Sequence, residues 1–177
     1  MIRTKAELKE YLDCEKQLYA CGNMRFVPIL VTEQQILRRH SILLRKAEYY
    51  HNTRRMLLFK WYLFFLCRLQ NRYAMHIPIN VFGKGLHINH TGPIVVNAMS
   101  RVGDHCKLNA GVTIGENEGA RPVLGHHVYL GPGAKVFGDV RIADYVKIGA
   151  NAVVTHSCDT EGATLAGIPA RVIGQEE

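Results

Sequence analysis

Five cysteines, Cys14, Cys21, Cys67, Cys106 and Cys158, are odd in number and form no C-x-x-C pair. That argues against a disulfide framework or a zinc ribbon, and a reducing, cytoplasmic setting is expected. A leader pattern is missing as well. The start, MIRTKAELKE, carries charges where the apolar region of a signal peptide would begin. The apolar run MLLFKWYLFFLCRL, Met56 to Leu69, is interrupted by Lys60 and falls short of the ~20 residues of a bilayer span. A buried helix, or one packed within a trimer, fits that run better than an anchor. Global disorder is not expected either: apolar residues make up 47% of 177 residues, enough for a real core. The length suits one compact domain with a smaller appendage.

Charge divides the chain. Residues 1–75 hold 14 Lys and Arg against 6 Asp and Glu, whereas residues 76–177 hold 8 against 9. The overall charge of +7 thus belongs to the first part. A basic segment can attract nucleic acid, anionic lipid or an acidic partner; a solvated helix face is the ordinary reading. No nucleic acid is expected, and at most weak membrane-surface contact through the basic N-terminal helices.

That first part is patterned as helix. Thr4-Lys5-Ala6-Glu7 and Thr32-Glu33-Gln34-Gln35 are capping boxes. A loose 3–4 spacing runs from Ala6 to Tyr19 and is expected to stop at Gly22-Asn23. Ile36, Leu37, His40, Leu43, Leu44, Ala47 and Tyr50 mark one face of a second helix.

Residues 76–177 keep a different period. Stepping by six from Val96 lands on Val102, Leu108 and Ile114; after four extra residues the steps land on Leu124, Leu130, Val136, Ile142, Ile148 and Val154. Every landing is aliphatic. Small or turn-prone residues usually follow (Asn97, Gly103, Asn109, Gly115, Gly125, Gly131, Ala143, Gly149), and a second small or β-branched position recurs four residues on. Backwards, Ile88 and Phe82 keep the period, with a two-residue offset near Pro93. A period of six is neither helix nor meander. It predicts a solenoid in which each hexad is one strand and one turn, and three hexads make one triangular coil. Coils stacked ~4.8 Å apart satisfy one another's backbone groups.

The segments GLHINHTGPIVVN, VGDHCKLNAGVTIGEN, LGHHVYLGPGAKVFGDVRIADYVKIGANAVV and AGIPARVIG resemble the hexapeptide-repeat acyltransferases. They are most similar to the serine O-acetyltransferases and their shorter relatives that acetylate sugars and polysaccharides. The resemblance covers about residues 76–174 and implies a mainly β fold: a left-handed parallel β-helix preceded by an α-helical N-terminal segment. It also implies a homotrimer with active sites between subunits, acetyl-CoA as co-substrate and no metal. Gly133, Ala134, Gly149 and Ala150 would line the acetyl-CoA groove, and Arg171 would meet a phosphate of the cofactor.

In the family's Asp-His-x-x-Gly pattern the histidine is the general base, and here the stretch reads Asn89-His90-Thr91-Gly92-Pro93. His90 takes that role by resemblance. A neutral imidazole can accept a hydroxyl proton near neutral pH, help typically worth ~10²–10⁴-fold. Asn89 and Arg121 are the candidate acceptor-binding residues. Asn89 stands where the serine enzymes have Asp, the upstream carboxylate falls on Met75, and their Arg-His-Pro reads Ala120-Arg121-Pro122. These departures favour a sugar or polysaccharide-precursor hydroxyl as acceptor, with L-serine as the alternative. The inserted GENEGARPV after Ile114 is expected to project over the acceptor. A zinc enzyme of the carbonic-anhydrase kind on the same fold ranks lower, because His87, His90 and His105 lack its spacing and His126-His127 would point to opposite faces of a strand. A non-catalytic scaffold ranks lower still. Cys106, at an inward position, reads as core.

Overall fold

The computed structural model describes residues 1–19 and 32–175. Three helices come first: α1 (Lys5–Leu18), α2 (Glu33–Asn52) and α3 (Met56–Arg72). Both capping boxes form. The Thr4 hydroxyl accepts from the Glu7 N–H while the Glu7 carboxylate accepts from the Thr4 N–H, and Thr32 and Gln35 repeat the exchange at α2. The expected stop at Gly22-Asn23 lies outside the described residues; α1 ends at Leu18.

α2 buries Ile36, Leu37, His40, Leu44 and Ala47, as its spacing requires. The more apolar α3 behaves differently: within one chain it buries only Leu66 and Gln70 and leaves Leu57, Trp61 and Phe64 exposed. No helix among the described residues is long and apolar enough to cross a membrane.

Short strands then wind through three sheets. One contains β1 (Met75–His76), β3 (Ile94–Val96), β6 (Thr113–Gly115), β9 (Lys135–Phe137) and β12 (Val153–Val154). The second contains β4 (Arg101–Val102), β7 (Val123–Leu124) and β10 (Arg141–Ile142). The third runs β2 (His87–Ile88), β5 (Lys107–Leu108), β8 (Tyr129–Leu130), β11 (Lys147–Ile148), β13 (Ala163–Gly167) and β14 (Ala170–Gln175). Among these fourteen strands the pairings are parallel except that of β13 with β14. Each coil visits the three sheets in turn, so the strands form a parallel β-helix.

Register follows the period of six. Val136 pairs with Val154 and Leu124 with Ile142, each 18 residues apart, or three hexads. Where the four-residue insertion passes, Ile114 pairs with Val136 at 22 residues. Across the Pro93 offset, Ile88 pairs with Leu108 at 20. The hexad aliphatics from Val96 to Val154 are all buried, and Cys106, Val112, Val128, Val140, Val146 and Ala152 form the second inward set. Burial pushes the Cys106 thiol well above its ordinary range.

The helices share this core, since Tyr19, Leu37, Leu44, Ala47 and Leu66 are continuous with the coil aliphatics. The Tyr19 hydroxyl accepts from the Ile88 N–H and donates to the Leu86 carbonyl, at 2.8 and 3.3 Å. Beside it lies a buried ionic hub. Arg45 meets Glu15 of α1 at 2.6 Å and Glu48 of α2 at 2.9 Å, and donates to the carbonyls of Phe82 and Gly83. Glu15 in turn accepts from Ser41 and the Leu86 N–H, and Glu48 from the Asn80 N–H.

Two outcomes follow for stability. Arg45→Met would leave two carboxylates buried without a cation, and urea denaturation should register a loss of about 3–5 kcal/mol. His40 is fully buried, and its Nε2 accepts from the Gln70 amide at 3.0 Å, which requires a neutral ring. Burial, with the Arg45 charge second, pushes His40 down to about 4. The unfolded chain, titrating near 6.5, then binds a proton that the folded chain refuses. Stability should be complete above pH ~6.5 and fall by roughly 3 kcal/mol as pH drops towards ~4. Denaturation at successive pH values checks this; the component should vanish in His40→Gln.

Candidate active site

His90 follows β2 at the corner where the chain passes to the sheet of β3. The two-residue offset falls here, and Gly92 takes φ +138 to make the turn. The imidazole projects outward, its side chain 66% exposed. It is held from one side by the first residue of α2. Glu33 Oε2 lies 3.1 Å from His90 Nδ1, while Glu33 Oε1 accepts from the Thr91 N–H at 2.7 Å and the Thr91 hydroxyl at 2.9 Å. The Thr91 N–H, above all, keeps the Glu33 carboxyl below the usual carboxylate range. The helix N-terminus also favours an anion at this position.

Asn89 turns along the coils. Its amide donates to Asn109 Oδ1 at 2.7 Å, and the Asn109 amide donates to the Leu130 carbonyl at 2.8 Å. Asn89 is thus one rung of a polar column that joins successive coils.

Because Ile88, Leu108, Leu130 and Ile148 are in register, the residues two further on stack at one corner: His90, Ala110, Pro132 and Ala150. Backbone bonds bind this edge, Gly133 N–H to Ala110 and Asn151 N–H to Pro132. At ~4.8 Å per coil the column is ~14 Å long. Gly133 and Gly149 are half-buried and Ala150 is exposed, so all three reach this edge or its flank. Ala134 does not. It is fully buried in the second inward set, and its side chain cannot form a groove wall. Arg171 lies exposed on β14, with Nη1 bonded to the Ala170 carbonyl. β14 is the far edge of the six-stranded sheet that begins with β2, ~24 Å from it at strand spacing.

Arg121 stands elsewhere. It is exposed just before β7, at the corner between the sheets of β6 and β7, and the sheet of β3 and β6 separates it from His90 within one chain. The inserted loop shares that corner, closed by paired backbone bonds between Asn117 and Ala120. One chain therefore does not bring the loop over His90.

Other histidines of the coils serve the structure. His87 packs edge-on against Tyr19 at 5.8 Å, and burial, then the Lys107 charge, lowers its pKa. His126 and His127 occupy a turn, not a strand, which corrects the expected opposite-face geometry. His105, His127 and Tyr145 stack as a ladder of turn residues, with centroids 4.8 and 4.6 Å apart. Among the described residues, no three His, Cys, Asp or Glu side chains group as metal ligands. The sequence reading missed Glu33 and Thr91 as partners of the site. The capping box marks Glu33 as a first-turn acid and carries no hint of His90.

Residues 121–156 match the family model described as bacterial transferase hexapeptide (six repeats). A serine acetyltransferase of Helicobacter pylori strain 26695 is 35% identical over 141 residues, 77% of this chain and 81% of the relative. The chain belongs to the hexapeptide-repeat serine acetyltransferase family. The family's Synechococcus elongatus serine acetyltransferase is 38% identical over 112 residues, 61% of this chain and 45% of the relative. The chain spans less than half the length of that relative and of the one from Haemophilus influenzae, 44%. Among solved structures, the serine acetyltransferase from Brucella abortus strain S19 superposes with a TM-score of 0.74 at 25% identity, over 96% of this chain and 70% of that one. A serine acetyltransferase complex with cysteine gives 0.71 at 26%, over 96% and 71%. The fold is the left-handed β-helix of these serine acetyltransferases.

The turn at the groove edge can be tested directly. Gly133 has φ +72, and an added Cβ would collide with Asn151 Oδ1. Gly133→Ala should cost ~1–2 kcal/mol for the backbone alone, plus the displacement of Asn151. Gly119 has φ +81 with open space around it, so Gly119→Ala should show the backbone part only. Thermal melts of the two variants compare them.

Proposed function

We propose that the protein transfers the acetyl group of acetyl-CoA to the hydroxyl of L-serine, with His90 as general base. The observation that carries this is the exposed His90 imidazole at the head of the Ala110–Pro132–Ala150 edge, with its Nδ1 beside the Glu33 carboxylate. The serine acetyltransferase relatives support L-serine as the acceptor, and a related structure described as a complex with CoA supports the donor. His90 Nε2 takes the hydroxyl proton as the oxygen attacks the thioester carbonyl. The carbon–sulfur bond breaks, and the same nitrogen returns the proton to the departing thiolate. A backbone N–H in the groove receives the oxyanion. Gly133, Gly149 and Ala150 let a thin donor chain approach the coil backbone, and Arg171 offers a fork of donors to its phosphate. Cys106 is buried core, so direct transfer is favoured over an acyl-enzyme.

The protein acts as a homotrimer in the cytoplasm. The separation of His90 and Arg121 onto different corners of one coil supports active sites between subunits. The exposed Leu57, Trp61 and Phe64 face of α3 suits packing on a neighbour. Free thiols at Cys14, Cys67, Cys106 and Cys158 fit a reducing compartment.

A second reading, transfer to a sugar hydroxyl, is favoured by Asn89. Its neutral amide is occupied by Asn109, and the Glu33 carboxylate beside His90 is already engaged by Thr91. An amino-acid acceptor needs a carboxylate for its ammonium group; a sugar needs neutral donors and acceptors.

Free-thiol release from acetyl-CoA, followed with L-serine and a panel of sugars, should be fastest with L-serine. Faster turnover on any sugar would move the assignment to the second reading. His90→Ala should lose ~10²–10⁴-fold in kcat. Light scattering should give the mass of three chains; the mass of one would remove the shared site.

A further inference from the structure

The family's upstream carboxylate falls on Met75, which is buried and apolar, 3% exposed. Among the described residues, the carboxylate beside His90 comes from α2 and not from a strand of the β-helix. We propose that Glu33 is the positioning residue of this active site, orienting His90 and fixing its tautomer from the N-terminus of a helix. The inference rests on His90 being the base.

Three observations carry it. An ionised carboxylate is an acceptor only, so at 3.1 Å from Glu33 Oε2, His90 Nδ1 must hold the ring proton. The Nε2 lone pair is then left for the acceptor hydroxyl. Next, the two oxygens divide the work. Oε1 is anchored by the Thr91 N–H and hydroxyl, which fixes the carboxylate plane, while Oε2 is presented to the ring. Finally, the position of Glu33 is set by the fold. The Thr32 and Gln35 capping box holds the first turn of α2, and Arg45, three turns further along the helix, is locked to α1 and to the first coil. The helical segment is thereby part of the catalytic apparatus rather than an appendage beside it.

Three variants, Glu33→Ala, Glu33→Gln and His90→Ala, are compared in acetyl-CoA turnover with the best acceptor, and nitrogen-15 NMR of the full chain reads the His90 tautomer. In the unsubstituted protein His90 should carry its proton on Nδ1. Glu33→Ala should lower kcat ~10–10²-fold, less than loss of the base itself, with KM for acetyl-CoA within about twofold, because the groove is untouched. It should also shift His90 toward the Nε2-protonated form. Glu33→Gln keeps one acceptor oxygen for two tasks and should fall between. An Nε2-protonated His90 in the unsubstituted protein overturns the proposal whatever the variants do. So does Glu33→Ala with kcat within twofold while His90→Ala is inactive, an outcome that leaves the general-base reading intact. A kcat loss in Glu33→Ala without a tautomer change overturns positioning in favour of plain structural damage. Full activity in His90→Ala removes both the base and its positioner.

Discussion

Arg45 is the interaction on which the placement of the N-terminal segment depends. Its guanidinium is wholly buried between α1, α2 and the first coil, with Glu15 and Glu48 as counter-charges and two backbone carbonyls as further acceptors. A planar fork with five N–H donors can serve that many partners at once; a lysine ammonium cannot. Desolvating the charges offsets much of their attraction, so what the hub contributes above all is a single geometry. That geometry points the N-terminus of α2 at the His90-Thr91 turn and brings Glu33 within hydrogen-bond reach of the imidazole.

The β-helix obeys a different constraint. Each coil is a template for the next, because its backbone N–H and C=O groups can be satisfied only by coils above and below. Once the aliphatic columns keep the register, residues at equal hexad positions must stack, and so His90, Ala110, Pro132 and Ala150 share one edge. Such a stack needs ends. The helices cover the first coil through Tyr19 and Arg45, and at the other end β14 turns back antiparallel on β13. An antiparallel return interrupts the parallel template on which another coil would grow.

The histidines separate by environment rather than by type. His105 and His127 build a turn ladder with Tyr145, His40 is a neutral core residue bonded to Gln70, and His87 rests on Tyr19. His90 alone among these combines strong exposure, a carboxylate on one nitrogen and a place on the groove edge. Geometry also divides two residues that the family likeness treats alike. Gly133 makes the turn at the edge, with φ +72, whereas its neighbour Ala134, the residue before β9, is buried in the core.

The coil period, the inward columns, both capping boxes and even the irregular coils were determined by the sequence itself. The four extra residues after Ile114 and the two near Pro93 became inter-coil separations of 22 and 20 residues. These features are legible because each depends on residues within a few positions of one another, repeated along the chain. Long-range docking decided the rest. Glu33 lies 57 residues before His90, and no local pattern links them. Their meeting depends on how a helix anchored by Arg45 lies across the first coil, just as the distance between His90 and Arg121 depends on which corners of the triangular coil the chain has reached. Only the packed structure carries that information, because side-chain partnership across separate elements is fixed by the docking angle, which no spacing in the sequence encodes.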